Sequence, residues 1–207
     1  GAGFDLVSYA AASQGVFIHL TKGFAEQGAD TDALRNIEDA VGSRFGDIIY
    51  GNNQSNVLFG ASGEDRIEGR NGNDVLVGAA GNDSYQFSHF DGTGVVSIND
   101  TSGTDRVVFG ALDEVKIPTD FKFSRSGDDL FIEHAVGTPS SESLAIGSHF
   151  TTTPVENYEF TGVPSTVFAY TATATAGNDL LIGDLSSAVT ADGGAGADIV
   201  VGGDSAD

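Results

Sequence analysis

Residues 42–86 read, in steps of nine, GSRFGDIIY (42–50), GNNQSNVLF (51–59), GASGEDRIE (60–68), GRNGNDVLV (69–77) and GAAGNDSYQ (78–86). Each step opens on glycine, at Gly42, Gly51, Gly60, Gly69 and Gly78. The sixth place holds Asp47, Asn56, Asp65, Asp74 and Asp83, and the eighth holds Ile49, Leu58, Ile67, Leu76 and Tyr85. A fixed nine-residue period marks a repeat architecture and outranks local propensity in deciding the fold. Helix is excluded, because every step starts on glycine and most carry a second one at the fourth place. Each step reads instead as a six-residue turn followed by a three-residue strand. In such a strand the middle residue faces one way and its neighbours the other, so the eighth-place residues form an inner wall. Strands that coil in one direction make a parallel β-solenoid, in which each turn is buried only against its neighbours.

The flanks carry β signals of a different kind. Upstream, residues 1–41 form an N-terminal β flanking segment, with an apolar run Val16-Phe17-Ile18-His19-Leu20 bounded by turn residues. Residues 23–32 read as a loop, and 34–41 as a short strand or a single helical turn leading into the repeats. Downstream of Gln86 the period fails. Residues 87–161 read as antiparallel strands at 95–99, 106–109, 121–125, 129–134, 143–146 and 155–160, separated by turn clusters such as Ser126-Gly127-Asp128. This segment holds Phe87, Phe90, Phe109, Phe121, Phe123, Phe131, Phe150 and Phe160. It can build a core and cap the otherwise unpaired edge of the solenoid. Residues 162–175, rich in Thr, Ala and Pro, read as a linker, and 176–207 as a truncated second repeat block. Gly1, Gly3, Asp5 and Val7 match alternate places of a nonamer, and the chain stops in mid-pattern at Asp207, so a piece of a longer protein is expected.

Composition narrows the function. Acidic residues outnumber basic ones 30 to 9, a net charge of −21. That balance argues against nucleic acid and anionic membranes and favours cations as partners. Hydrophobic residues make up 40% of the chain and fall in short patterned runs, which does not fit a disordered solvating chain. Without cysteine there are neither disulfides nor thiolate metal sites. No apolar run approaches the ~18 residues that a membrane-spanning helix needs, so no direct membrane insertion is expected.

An aspartate at a fixed place among glycines is what a hard cation requires. Calcium takes six to eight oxygens from carboxylates and backbone carbonyls, and glycine lets the backbone turn its carbonyls inward. If strands alternate between two sheets, turns two repeats apart stack. Asp47, Asp65 and Asp83 then share one edge, and Asn56 and Asp74 the other. Carboxylates stacked about 4.8 Å apart repel by about 0.9 kcal/mol at a dielectric of 80 and about 3.5 kcal/mol at 20. A cation turns that repulsion into coordination, so binding and folding become one event. Plain turn chemistry also favours Asp and Asn beside Gly, but it does not need an acid at the same place every nine residues.

The pattern GxxGxDxUx, with U apolar, resembles the glycine- and aspartate-rich nonapeptide of RTX proteins, which bind Ca²⁺ in a parallel β-roll. Gly69–Val77 and Gly193–Val201 carry it best. The wider arrangement is similar to the RTX blocks of the adenylate cyclase–haemolysin toxins, and 84–87, 100–109 and 124–132 resemble the β segment that caps rolls in haemolysin-type proteins. The resemblance implies an all-β fold: a parallel β-roll capped by an antiparallel segment, with the start of a second roll. It implies carbonyl ligands from Gly60, Ser62, Glu64, Gly69, Asn71, Asn73, Gly78, Ala80 and Asn82 beside the sixth-place side chains, and Asp179 and Asp198 in the second block. Phe45 and Gln54 replace the fourth-place glycine and Asn56 replaces an aspartate, so the first two turns are expected to be weaker sites than Asp65, Asp74 and Asp83. Asp91, Asp100 and Asp105 lie just beyond the roll and are candidates to cap its last turns, with plain turn roles the alternative.

Nothing in the sequence points to catalysis. The histidines His19, His89, His134 and His149 are scattered without a zinc-type pair, and neither a G-x-S-x-G elbow nor a phosphate loop is present. The Asp128-Asp129 pair sits in a hairpin turn. The expected function is a non-enzymatic, calcium-induced folding module of a type I-secreted, toxin-like RTX protein. It would be extracellular and monomeric, with calcium and, through the parent protein, the secretion machinery as partners. A calcium-dependent carbohydrate-binding accessory module, or an adhesin or S-layer segment, is the alternative.

Overall fold

The computed structural model describes residues 3–87, 93–110, 121–126, 129–134, 141–146, 155–160, 166–170, 179–182, 194–196 and 199–201. All regular structure among them is strand, as the repeat pattern requires. Ahead of the nonamers lie β1 (Leu6–Ser8), β2 (Phe17–His19), β3 (Phe24–Gln27), β4 (Asp30–Ala33) and β5 (Asp39–Val41). The nonamers supply β6 (Ile48–Tyr50), β7 (Val57–Ser62), β8 (Arg66–Glu68), β9 (Val75–Ala80) and β10 (Ser84–Phe87). Beyond them come β11 (Thr93–Ile98), β12 (Arg106–Phe109), β13 (Phe121–Ser126), β14 (Asp129–His134), β15 (Ser141–Ile146) and β16 (Asn157–Phe160). The last are β17 (Thr166–Tyr170), β18 (Asp179–Ile182) and β19 (Ile199–Val201).

Successive nonamer strands go to alternate sheets. One sheet runs β1-β5-β7-β9-β11-β15-β14-β13, the other β19-β18-β17-β16-β12-β10-β8-β6-β2-β3-β4. Neighbouring nonamer strands within a sheet pair in parallel, with Ile49 opposite Ile67 and Leu58 opposite Leu76. The eighth-place residues therefore form two facing columns. Ala40, Leu58, Leu76 and Ile98 line one, and Ile18, Ile49, Ile67, Tyr85, Val107 and Tyr158 line the other, all fully buried. Their outward neighbours differ by sheet. Val57 and Phe59 leave an apolar, half-exposed outer face on one sheet, while Arg66 and Gln86 make the other polar.

Several expectations change at the flanks. Residues 23–32, read as a loop, form most of the antiparallel β3–β4 hairpin, in which Gln27 faces Asp30 and Gly28 takes a φ of 64° at the two-residue turn. Residues 39–41 are a strand rather than a helical turn, and Ala40 continues the inner column opposite Leu58. The segment after Gln86 is not purely antiparallel. β11 pairs in parallel with β9 and β15, and β12 with β10 and β16. Only β13–β14–β15 and β16–β17 are antiparallel among these. The physical reason is the open strand edge left by β9 and β10, which any following chain with an apolar inward residue can extend. Ile98 and Val107 provide that residue. Phe87 and Phe109 close the core there, with ring centroids 6.0 Å apart, while Phe90 and Phe150 lie outside the described residues. The stretch read as a linker contains β17, which joins the parallel pairs β17–β18 and β18–β19 to the same sheet.

The period survives past Gln86 in displaced form. Sixth-place partners are 18 residues apart within the repeats and 22 apart across their end. Four added residues shift the register, after which 100–108, DTSGTDRVV, takes up the places of a nonamer with Asp105 at the sixth and Val107 at the eighth.

Because the core is two single-file columns, each rung depends on those beside it. Leu76→Ala, fully buried between Leu58 and Ile98, should cost about 2–5 kcal/mol in calcium-saturated denaturant unfolding. The exposed Val57→Ala should cost less than half as much.

Candidate metal centre

At one edge of the stack each sixth-place residue donates its backbone N–H to the carboxylate of the one above. Asp47 N–H reaches Asp65 Oδ1, Asp65 N–H reaches Asp83 Oδ1 and Asp83 N–H reaches Asp105 Oδ1, each at 2.8 Å. Asp105 N–H ends the series on Glu156 Oε2 at 2.6 Å. On the other edge Asn56 N–H reaches Asp74 Oδ1 at 2.8 Å, and Val57 N–H reaches Asp39 Oδ1 at 2.7 Å. All the sixth-place side chains, from Asp47 to Asp105, are buried.

The sixth-place oxygen that lies over the first-place glycine of its own turn divides the turns into two kinds. In the first two, the second-place amide closes on the sixth-place side chain. Ser43 N–H donates to Asp47 Oδ2 at 2.5 Å, and Asn52 N–H to Asn56 Oδ1 at 2.8 Å. Asp47 Oδ1 is also engaged, by Ser43 Oγ–H and Val16 N–H. In the next three turns the second-place residues Ala61, Arg70 and Ala79 have φ of 93°, 73° and 81°. That backbone is strained by about 1–3 kcal/mol for a residue with a side chain. Asp65 Oδ2, Asp74 Oδ2 and Asp83 Oδ2 are left buried with no hydrogen-bond partner. Each points over the first-place glycine of its own turn, where an added Cβ would stand 2.1–2.3 Å away at Gly60, Gly69 and Gly78.

A buried polar atom without a partner costs about 1–3 kcal/mol, more when charged, a cost that a cation or a proton on the carboxylate would lower. Burial pushes the Asp65 and Asp74 carboxyls up to about 7 and Asp83 up to about 6, while the donated amides oppose the shift. Asp105 is likewise raised to about 7, by burial and by the nearby Asp100, Glu156 and Asp83. Asp47 is raised by burial against three hydrogen bonds that lower it.

The remaining expected ligands are distributed unevenly. Ser62 and Ala80 lie opposite each other in β7 and β9, with the Ala80 carbonyl accepting Gly63 N–H at 2.8 Å. Glu64, Asn73 and Asn82 are exposed at turn tips, and Asn71 is half-buried. Asn73 Oδ1 and Asn82 Oδ1 accept amides from Val95 and Thr104, at 2.9 Å each. Asp100 and Asp105 come together with Asp83. Asp179 lies at the start of β18, and Asp91 and Asp198 lie outside the described residues. The closing role of Ser43 and Asn52, and the parts of Glu156 and Tyr85, were not read from sequence; only the displaced nonamer at 100–108 could have led to the last two. His19 is a packing residue, buried against Phe17, Phe24 and Tyr50 and held down to about 4 by burial, Arg70 and Lys22.

Part of the chain matches a known family. The RTX calcium-binding nonapeptide repeat (4 copies) matches residues 38–67 and 50–85. This stretch therefore carries RTX calcium-binding nonapeptide repeats, and the buried oxygens of Asp65, Asp74 and Asp83 fall within it. No curated protein matches the chain.

Raised carboxyl values in the coiled state mean that protons stabilise it. That stability is complete below the ordinary aspartate value near 4 and is lost as pH rises through about 6–7. In chelator, far-UV circular dichroism should thus show β signal growing as pH falls from 8 to 4. A signal that is flat or shrinks over that range would contradict the assignment.

Proposed function

On the premise of an RTX nonapeptide stretch at 38–85, we propose that this chain is a non-enzymatic, calcium-induced folding module, a parallel β-roll of an exported protein. The observation that carries this reading is the set of three buried aspartate oxygens without partners, each over a glycine. Asp65, Asp74 and Asp83 would hold the ion, with turn carbonyls completing the shell of six to eight oxygens. Bound calcium supplies the positive charge that the stacked carboxylates lack.

Extracellular calcium modules work at dissociation constants of about 0.1–1 mM. Inside a cell the acid columns would stay without enough calcium and repel one another, which keeps the chain extended for passage through a type I secretion channel. Outside, millimolar calcium drives the coil to form. The net charge of −21 serves both states, since it opposes collapse before export and is partly neutralised afterwards. A monomer suffices for this role, and a toxin-like parent is the setting that the repeat arrangement favours.

Calcium titration followed by circular dichroism tests the reading. Little β signal is expected in chelator at pH 7.5, with a cooperative rise at submillimolar to millimolar calcium. Asp65→Asn should raise the midpoint about tenfold, the equivalent of ~1.4 kcal/mol, and Asp47→Asn by clearly less. A chain equally structured in chelator and in calcium would overturn it.

A further inference from the structure

The three open turns differ in what stands at their second place. Ala61 and Ala79 end at Cβ, but Arg70, at a φ of 73°, carries a long charged side chain out of its turn. Its guanidinium carbon lies 5.7 Å from the centroid of the Tyr50 ring, and Tyr50 stands opposite Glu68 on the neighbouring strand. Arg70 Nη1 lies 3.5 Å from Thr21 Oγ1, whose hydroxyl donates to the Gly51 carbonyl at 3.0 Å. Arg70 Nε is buried without a hydrogen-bond partner.

Tyr50 belongs to a cluster of four rings on the outer face of its sheet. It packs edge-on against Phe17 and His19, with centroids 5.7 and 5.4 Å away. Phe24 stands 5.5 Å from Phe17 and 5.9 Å from His19. The rings come from β2, β3 and β6, so they fasten the antiparallel β2–β3 hairpin to the first nonamer strand. Arg66 also lies over Tyr50, at 5.9 Å, but it projects from β8 and needs no particular turn geometry. The position of Arg70 does depend on its turn. In the closed turn stacked beside it, the second-place residue is Asn52, whose amide N–H goes to Asn56 Oδ1 and whose side-chain Nδ2 goes to the Ile37 carbonyl at 3.2 Å. A second-place side chain thus reaches Ile37 from the closed turn and Tyr50 from the open one.

We propose that Arg70 couples the open form of turn 69–77 to the seating of the aromatic cluster, so that filling this turn tightens the β2–β3 hairpin. The guanidinium meets Tyr50 only while the second-place backbone is open. A contact made in one of two states shifts the balance between them by its own strength. For a cation over an aromatic ring that strength corresponds to a factor of about 2 to 30, from exposed to desolvated sites. The coupling is reciprocal, so a seated cluster favours ion entry at Asp74 by the same factor. Ala61 and Ala79 have no side chain that could carry such a link. The inference rests on the calcium reading of the repeats and adds a role for a side chain that is no part of the ligand set.

Amide hydrogen exchange of residues 16–27, in the full chain held folded at mildly acidic pH and titrated with calcium, reads the coupling. In the wild type, exchange of this hairpin should slow by about 2- to 30-fold as calcium saturates. Arg70→Gly is the discriminating variant, because glycine takes a positive φ without strain and has no side chain. It should abolish the hairpin response while the calcium midpoint of the β signal rises no higher than in the wild type. A variant that merely folds badly would raise that midpoint. Arg70→Lys, which keeps a cation for the ring, should restore part of the response, and Arg66→Ala should leave it in place. Asp74→Asn should abolish it although the turns of Asp65 and Asp83 still respond to calcium. A hairpin response equal in the wild type and Arg70→Gly, or absent from a wild type that binds calcium, would overturn the coupling and leave the repeats intact. A wild-type chain that binds no calcium would overturn the repeat reading and the coupling together.

Discussion

The structure depends on one hydrogen bond repeated up the stack, from the amide of a sixth-place residue to the carboxylate two turns on. Asp47 to Asp65, Asp65 to Asp83 and Asp83 to Asp105 share one distance, 2.8 Å. This bond sets the register between turns and gives a geometric reason for a side-chain oxygen acceptor at the sixth places that receive it, Asp65, Asp74, Asp83 and Asp105. It also stacks acidic groups in a buried column, whose charge the proposed calcium would neutralise. Register and charge neutralisation are therefore coupled through the same side chain.

The second oxygen of each carboxylate shows how the chain resolves that conflict in two ways. Ser43 satisfies the second Asp47 oxygen with its own amide, Asn52 does the same for the single amide oxygen of Asn56, and both turns close. Ala61, Arg70 and Ala79 swing into positive φ, and the oxygen is left open. An open turn carries backbone strain and an unpaired buried oxygen together, each about 1–3 kcal/mol. Such a turn is favourable only with a ligand that interacts strongly with several oxygens at once. The closed turns stand at the N-terminal side, where β2 and β5 continue the coil, and can hold their shape without one.

The sequence made the inner columns and the acid edges legible because both follow a strict period of nine. The stacking of Asp65 under Asp83 and of Asn56 under Asp74 follows from that period once strands alternate between sheets. The continuation after Gln86 was hidden by a shift of four residues, which moves Asp105 and Val107 out of phase although they keep their roles. The β3–β4 hairpin escaped because its strands, FAEQ and DTDA, are short and largely polar, so they lack the alternation that marks a half-buried strand. Closed and open turns could be suspected from Phe45 and Gln54 at the fourth place. The deciding feature, the φ of the second-place residue, has no residue-type signature: alanine and arginine adopt it, while asparagine, which tolerates it better, does not.

The central claim is that the open turns, and not the closed ones, receive the cation. Side-chain carboxyl ¹³C shifts in a labelled chain, held folded at mildly acidic pH and titrated with calcium, measure this residue by residue. The account predicts large, saturable changes at Asp65, Asp74 and Asp83, and little change at Asp47. Equal changes along the whole column, or changes confined to exposed acids such as Glu64, would contradict it.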